Sequence, residues 1–185
     1  MEVLRKAYFF LLDILQTLIL AAAAFVVVYM FLFRPFEVKG ESMYPNLHDS
    51  EYLITSLIGL KLSDPKLGDV IVFKAPNELE RDFIKRVIGV GGDSVSIKDG
   101  QVYLNEELLN ENKYLKPSIK TYGGSFLQEG KEVLVPEGYF FVLGDNRSYS
   151  SDSREWGFVP KNNVIGSSIF IYWPLNSAGI IKNPY

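Results

Sequence analysis

Apolar residues fill almost every position from Ala7 to Phe33, interrupted only by Asp13, Gln16 and Thr17. Taking Ile14–Phe33 as the core of this run gives 20 residues, roughly 30 Å at a helical rise of 1.5 Å per residue, which matches the hydrocarbon thickness of a bilayer. The pattern predicts a transmembrane helix over 14–33, with residues 1–13 as a short cytoplasmic and interfacial flank. Asp13 falls near the headgroup boundary, and Arg34-Pro35 closes the run with a charge and a helix breaker. Arg5-Lys6 also resembles the start of a cleaved leader, but nine further apolar residues follow Ala21–Ala24, which favours an uncleaved anchor. The basic pair before the run favours a cytoplasmic N-terminus, a bias that Arg34 and Lys39 dilute.

After Pro35 the period shortens to two. Phe36–Lys39, Glu51–Ser56, Asp69–Lys74, Phe83–Val90, Lys131–Val135, Tyr139–Leu143 and Val164–Trp173 read as strands separated by Gly, Pro and Asp. Ser94–Lys98 and Gln101–Asn105 flank Asp99-Gly100, a two-residue hairpin signal. Residues 105–129 are polar and irregular, and no amphipathic helix of three turns follows the anchor. The expected fold is mainly β: a folded antiparallel sheet or barrel-like domain over 34–185, carried by one N-terminal helix.

Composition narrows the chemistry. Hydrophobic residues make up 48% and charged residues 22% of the 185 positions, a globular balance. The net charge is −3 and no basic patch occurs, which argues against a nucleic-acid partner. There is no cysteine, so disulfides, thiolate metal sites and cysteine nucleophiles are all excluded. Gly89-Val90-Gly91-Gly92 lacks the Lys-Ser/Thr pair and helix of a phosphate loop, and reads as a turn. The acidic spacing around Asp145 and Asp152 does not match an EF-hand.

The loop Gly40-Glu41-Ser42-Met43-Tyr44-Pro45 begins seven residues beyond the apolar run and holds a serine between a permissive glycine and a stiffening proline. A serine nucleophile needs a base. The single histidine, His48, is a loop residue, whereas Lys85 stands in the strand Phe83-Ile84-Lys85-Arg86-Val87-Ile88. Alternation puts Phe83, Lys85 and Val87 on one face and Ile84, Arg86 and Ile88 on the other. A free lysine, with a pKa of about 10.4, is neutral in only about one molecule in a thousand near pH 7.4. A lysine base must therefore lose about 3 pH units of basicity, equivalent to about 4 kcal/mol, which burial can supply. Arginine cannot be deprotonated in proteins, so Arg86 cannot take that role. Two readings stand on these residues alone: a Ser42–Lys85 nucleophile–base pair, or a turn serine with two snorkelling or paired surface cations.

The ordered set Gly-Glu-Ser-Met-Tyr-Pro (40–45), Gly-Asp-Val-Ile-Val-Phe (68–73), Ile-Lys-Arg-Val-Ile-Gly-Val-Gly-Gly-Asp (84–93) and Gly-Asp-Asn-Arg…Ser-x-Asp-Ser-Arg…Gly-Phe-Val-Pro (144–160), behind an anchor, resembles the type I signal peptidases of bacteria in their short Gram-positive form. The resemblance covers nearly the whole chain. It implies an endopeptidase on the outer face of the cytoplasmic membrane that removes signal peptides from exported preproteins through an acyl-enzyme, without metal or cofactor. Ser42 then maps to the nucleophile and Lys85 to the general base. Ser150 maps to a serine that orients the lysine, and Asp152 and Arg154 to a supporting charge pair. Gly144, Asp145, Asn146 and Arg147 map to the same supporting loop, with Arg86 beside the base. Phe36, Val38, Met43, Val72 and Ile84 are implied as lining for shallow pockets that take small residues at −1 and −3.

Some members carry a serine two positions before the nucleophile that helps bind the oxyanion. Gly40 stands there, which leaves the Ser42 amide as the expected main donor. Asn46 replaces a frequent Thr and Gly91 a frequent Pro, neither with an expected effect on chemistry. The rival readings are a self-cleaving repressor of the SOS type, which would need a DNA-binding domain, and a membrane-tethered β-domain without catalysis.

Overall fold

The structure is a computed structural model that describes residues 1–58, 63–76 and 78–185. An N-terminal helix α1 (Glu2–Leu32) of 31 residues leads into strands β1 (Phe33–Glu37), β2 (Tyr52–Ser56), β3 (Val70–Ala75) and β4 (Glu78–Val90). Next come β5 (Ser94–Lys98), β6 (Gln101–Leu104), β7 (Glu107–Leu108), β8 (Glu132–Leu134) and β9 (Tyr139–Leu143). The chain ends with β10 (Val159–Pro160), β11 (Val164–Trp173) and β12 (Gly179–Ile180).

Helix α1 is long and apolar enough to cross a membrane, and none of its residues is buried against the rest of the chain. Its C-terminal end falls one residue short of the expected span. The stretch before Ile14 is helical from Glu2, and Phe33 opens β1 rather than closing the helix. Phe33 pairs with Ser56 across an antiparallel ladder, so sheet hydrogen bonds take over where Arg34-Pro35 forbids another helical turn.

One sheet has the order β1-β2-β11-β3-β4-β9-β10, with β12 on the side of β11; the other has the order β7-β6-β5-β8. All strand pairs are antiparallel. The small sheet packs on the end of β4 and β9 through Val95, Ile97, Val102, Ile88, Phe141 and Leu143. A second cluster, with Ile71, Phe73, Val87 and Val142, holds β3, β4 and β9 together. A third, Val38, Met43, Leu47, Leu53 and Val70, lies under the loop between β1 and β2. The irregular expectation for 105–129 holds apart from the two-residue β7 and a short 3-10 turn at Glu111–Lys113.

Two strand edges border one groove. Strand β1 ends the large sheet, and β4 pairs with β9 only from Arg86 onward. The sheet curls so that Arg34–Lys39 and Glu80–Lys85 face each other across a groove.

Candidate active site

Ser42 and Lys85 meet at the foot of this groove. The Lys85 Nζ lies 2.8 Å from Ser42 Oγ and donates to the Ile84 carbonyl at 2.9 Å. Lys85 is only 4% exposed, and its Nζ sits 5.2 Å from the centre of the Phe83 ring. Burial dominates its titration and pulls its pKa down to about 8, against the smaller opposing pull of Asp152 and Asp145. The hydrocarbon stem lies among strand side chains, so the amine is taken from water at the point where it meets the serine.

Arg86 points to the other face of β4, as alternation requires. It is buried and grips Asp145 with two hydrogen bonds, 2.8 and 2.6 Å. It donates a third to the Gly68 carbonyl at 2.8 Å and stacks on Tyr114, whose ring centre is 4.4 Å away. The second Asp145 oxygen also accepts from Asn46 Nδ2 at 2.8 Å. A strand residue one place beyond the amine is thus wired to the loop that carries the serine.

The 144–154 loop clasps that serine loop from behind. The Asn146 backbone amide donates to Ser42 O, and its side-chain amide to Glu41 O, each at 3.0 Å. Asp152 accepts from the Gly144 amide at 3.0 Å and holds Arg154 through both oxygens. Arg154 in turn donates to the carbonyls of Arg147, Ser150 and Tyr122. Arg147 is buried and reaches Gly144 O, Thr121 and Glu111. Each carboxylate near the amine therefore has its own arginine, and each ion pair has further hydrogen bonds that offset the cost of burying it.

Two expected contacts differ. Met43 does not line the groove: it is 0% exposed and packs with Val38, Leu47, Leu53 and Val70. The Leu47 amide bonds the Met43 carbonyl in a turn that drives Met43 into the core while Ser42 faces the groove. The Ser150 Oγ is buried with no hydrogen-bond partner and makes no bond to Lys85; the lysine is oriented by Ile84 O instead. Glycine is required at 144, between Ser150 and the Ser42 backbone, because a Cβ there would overlap the Ser150 side chain and stand 2.5 Å from Ser42 O.

Phe36, Val38, Val72 and Ile84 do line the groove, with Leu53, and Arg34, Glu37, Arg81 and Asp82 stand around its rim. Gly40 has φ +83° and open space where a side chain would begin. Its amide donates to Asp49 Oδ1 at 2.6 Å, a bond that holds the Asp49 pKa below its ordinary value. That amide is committed to the loop. His48 is engaged by Glu51 and the Tyr44 ring.

Asn46, Gly68, Tyr114, Glu111 and Thr121 were not singled out by the sequence as site residues. Gly68 opens the 68–73 motif and Asn46 follows the 40–45 motif, but their partners are far along the chain (99 residues separate Asn46 from Asp145); Tyr114, Glu111 and Thr121 stand in no pattern that marks them.

Comparisons with known proteins identify the family of the chain. The family described as "Signal peptidase, peptidase S26" matches residues 11–173. Signal peptidase IB of Staphylococcus aureus is 34% identical over 186 aligned residues, covering 93% of this chain and 96% of that protein. A probable signal peptidase I-2 of Synechocystis is 33% identical over 177 residues, covering 93% of this chain and 78% of that protein. A crystal structure of a signal peptidase I from Enterococcus faecalis aligns at TM-score 0.47 and 32% identity, over 57% of this chain and 97% of that one.

Proposed function

Because the chain belongs to the signal peptidase family, peptidase S26, we propose that it cleaves signal peptides from exported preproteins by a Ser42–Lys85 dyad, after small residues in an Ala-x-Ala type of site. The observation that carries this reading is the 2.8 Å approach of a buried, weakly basic Lys85 amine to Ser42 Oγ at the foot of an open groove.

In the neutral state the Lys85 lone pair accepts the Ser42 proton as Oγ attacks the scissile carbonyl. The Ile84 carbonyl holds the amine by one of its hydrogens, leaving the lone pair for the serine. The Ser42 amide is the donor proposed for the developing oxyanion. The protonated lysine gives its proton to the leaving amine. Neutral again, it takes a proton from the water that hydrolyses the ester. The edges of β1 and β4 support binding of the substrate as an extended strand, with main-chain bonds on either side. Phe36, Val38, Leu53, Val72 and Ile84 leave shallow apolar recesses suited to small side chains.

The apolar helix supports a single-pass anchor in the cytoplasmic membrane with residues 34–185 on the extracytoplasmic side. Ser42 lies five residues beyond β1, itself continuous with the helix, so the anchor keeps the nucleophile near the surface where a preprotein's cleavage site leaves the bilayer. That is proximity used as specificity.

The detergent-solubilised chain should cleave a preprotein bearing Ala-x-Ala. Ser42→Ala and Lys85→Ala should each abolish cleavage, and His48→Ala should retain most of it. Persistent cleavage by Lys85→Ala would sink the dyad, and loss confined to His48→Ala would replace it with a histidine base.

A further inference from the structure

The segment Ile181–Tyr185 lies across the turn that supports Arg86, far in sequence from the residues it touches. Asn183 Nδ2 donates to Leu67 O at 2.8 Å and to Asp69 Oδ1 at 2.7 Å, bracketing Gly68. The Tyr185 amide donates to Asn183 Oδ1 at 2.8 Å, which fixes the orientation of that side-chain amide. Gly68 has φ +89°, and a Cβ there would stand 2.6 Å from Asn183 Oδ1, 2.7 Å from Tyr185 Cδ2 and 3.0 Å from Pro184 Cδ. The strap is therefore in direct contact with the Gly68 backbone.

Tyr185 also braces the second support of Arg86. Its hydroxyl donates to Asn110 O at 3.1 Å, and its ring meets the Tyr114 ring edge-on at 6.3 Å. Lys113 covers it, with Nζ 5.2 Å from the ring centre. Apart from Asp145, the guanidinium of Arg86 is held by the Gly68 carbonyl and the Tyr114 ring. The strap backs both. Gly68 is further tied to the strand, since its amide donates to Val87 O and the Val87 amide to Asp69 O.

We propose that Asn183 and Tyr185 are positioning residues that hold the Gly68 carbonyl and the Tyr114 ring against Arg86, and through the Arg86–Asp145 pair set the working arrangement of Ser42 and Lys85. The inference rests on the Ser42–Lys85 reading. The route has two arms. Asp145 holds Asn46 in the serine loop, so a displaced Arg86 loosens the nucleophile. Asp145 is also one of the two carboxylates that favour protonated Lys85, so a carboxylate less well neutralised by Arg86 makes Lys85 more basic. The other charged groups around the amine are the Asp152–Arg154 pair and Arg147 behind it, Arg34 and Glu37 of β1, Lys39 just after it, and Glu80, Arg81 and Asp82 of β4. Of these, Arg147 also acts electrostatically on Tyr185 of the strap.

The test uses the full chain in detergent micelles with Asn183→Ala, Tyr185→Ala and Tyr185→Phe. The first two should lower kcat about tenfold with KM little changed, as expected for a misplaced catalytic group. The acid limb of the rate profile should move up by about half a pH unit, the direction given by a more basic lysine. Tyr185→Phe keeps the ring and should stay near the wild-type chain. Independently of activity, the Gly68 and Val87 amides should exchange hydrogen about tenfold faster in the two alanine variants. Wild-type kcat, acid limb and exchange in both alanine variants would overturn the inference. So would a fall in kcat with an unmoved acid limb and unchanged exchange at Gly68 and Val87. A wild-type chain that cleaves no preprotein would instead defeat the functional reading, while the exchange measurement would still judge the strap.

Discussion

Lys85 trades stability for chemistry, and the trade has a measurable signature. Its pKa falls from 10.5 in the unfolded chain to about 8 in the folded one, chiefly through burial. Between those values the unfolded chain binds the proton and the native one does not, so folding stability from this group rises with pH through the window from about 8 to 10.5. Integrated over the window the gain is about 3 kcal/mol, and below pH 8 the native state carries that full cost. Lys85→Met removes the charge and keeps the apolar stem, but loses the contacts to Ser42 and Ile84 O, together about 2 kcal/mol. The variant should therefore be about 1 kcal/mol more stable than wild type at pH 7 and about 2 kcal/mol less stable above pH 10.5. Urea unfolding in micelles, followed by fluorescence of Trp156 and Trp173, gives both curves. Their difference cancels the other lysines and the tyrosines. The rate profile of the wild type should rise through the same pKa, with about one molecule in five active at pH 7.4. A stability difference that stays flat from pH 7 to 10.5 would refute a desolvated, weakly basic Lys85.

Three further outcomes follow from the packing. Met43→Ala should destabilise the fold by about 2–5 kcal/mol without widening the choice of residue at −1, because Met43 fills the core rather than the groove; altered cleavage-site preference would contradict that placement. Gly144→Ala drives a methyl group toward Ser42 O and the Ser150 side chain, and should lower kcat about a hundredfold while circular dichroism shows a folded chain. Asp145→Asn leaves the buried Arg86 without a carboxylate and should cost about 3–5 kcal/mol, read as a lowered urea midpoint; an unchanged midpoint would show that the pair contributes little.

Much of the molecule was legible because it rests on local pattern. The bilayer-length helix follows from an apolar run broken only by Gln16 and Thr17 within 14–33, and most strands from alternation bounded by Gly, Pro and Asp. The hairpin at Asp99-Gly100 is present, with Lys98 opposite Gln101 and positive φ at both turn residues. Alternation in β4 also separated Lys85 from Arg86, one facing the serine and the other Asp145. Residues whose partners lie far away were not legible. Nothing near Asn46 says that it meets Asp145, and Met43 reads as a loop residue beside a nucleophile until Leu47 and Leu53 close over it.

What the sequence determined by itself is the bilayer-length apolar helix, the mainly β character of the rest, and the two residues whose side-chain chemistry suits a nucleophile and a base. These depend on hydrophobic period and on side-chain chemistry, which are properties of neighbours along the chain. Only the tertiary structure decided that Ser42 and Lys85 meet at 2.8 Å, that burial lowers the basicity of the amine, and that the edges of β1 and β4 flank a groove above them. The reason is physical: desolvation and hydrogen-bond distance are set by groups from β1, β4 and the 144–154 loop arriving at one place. For Ser42, the composition of its own loop was compatible with an ordinary turn, and only the fold brings the amine of a buried lysine 43 residues away to 2.8 Å from its Oγ.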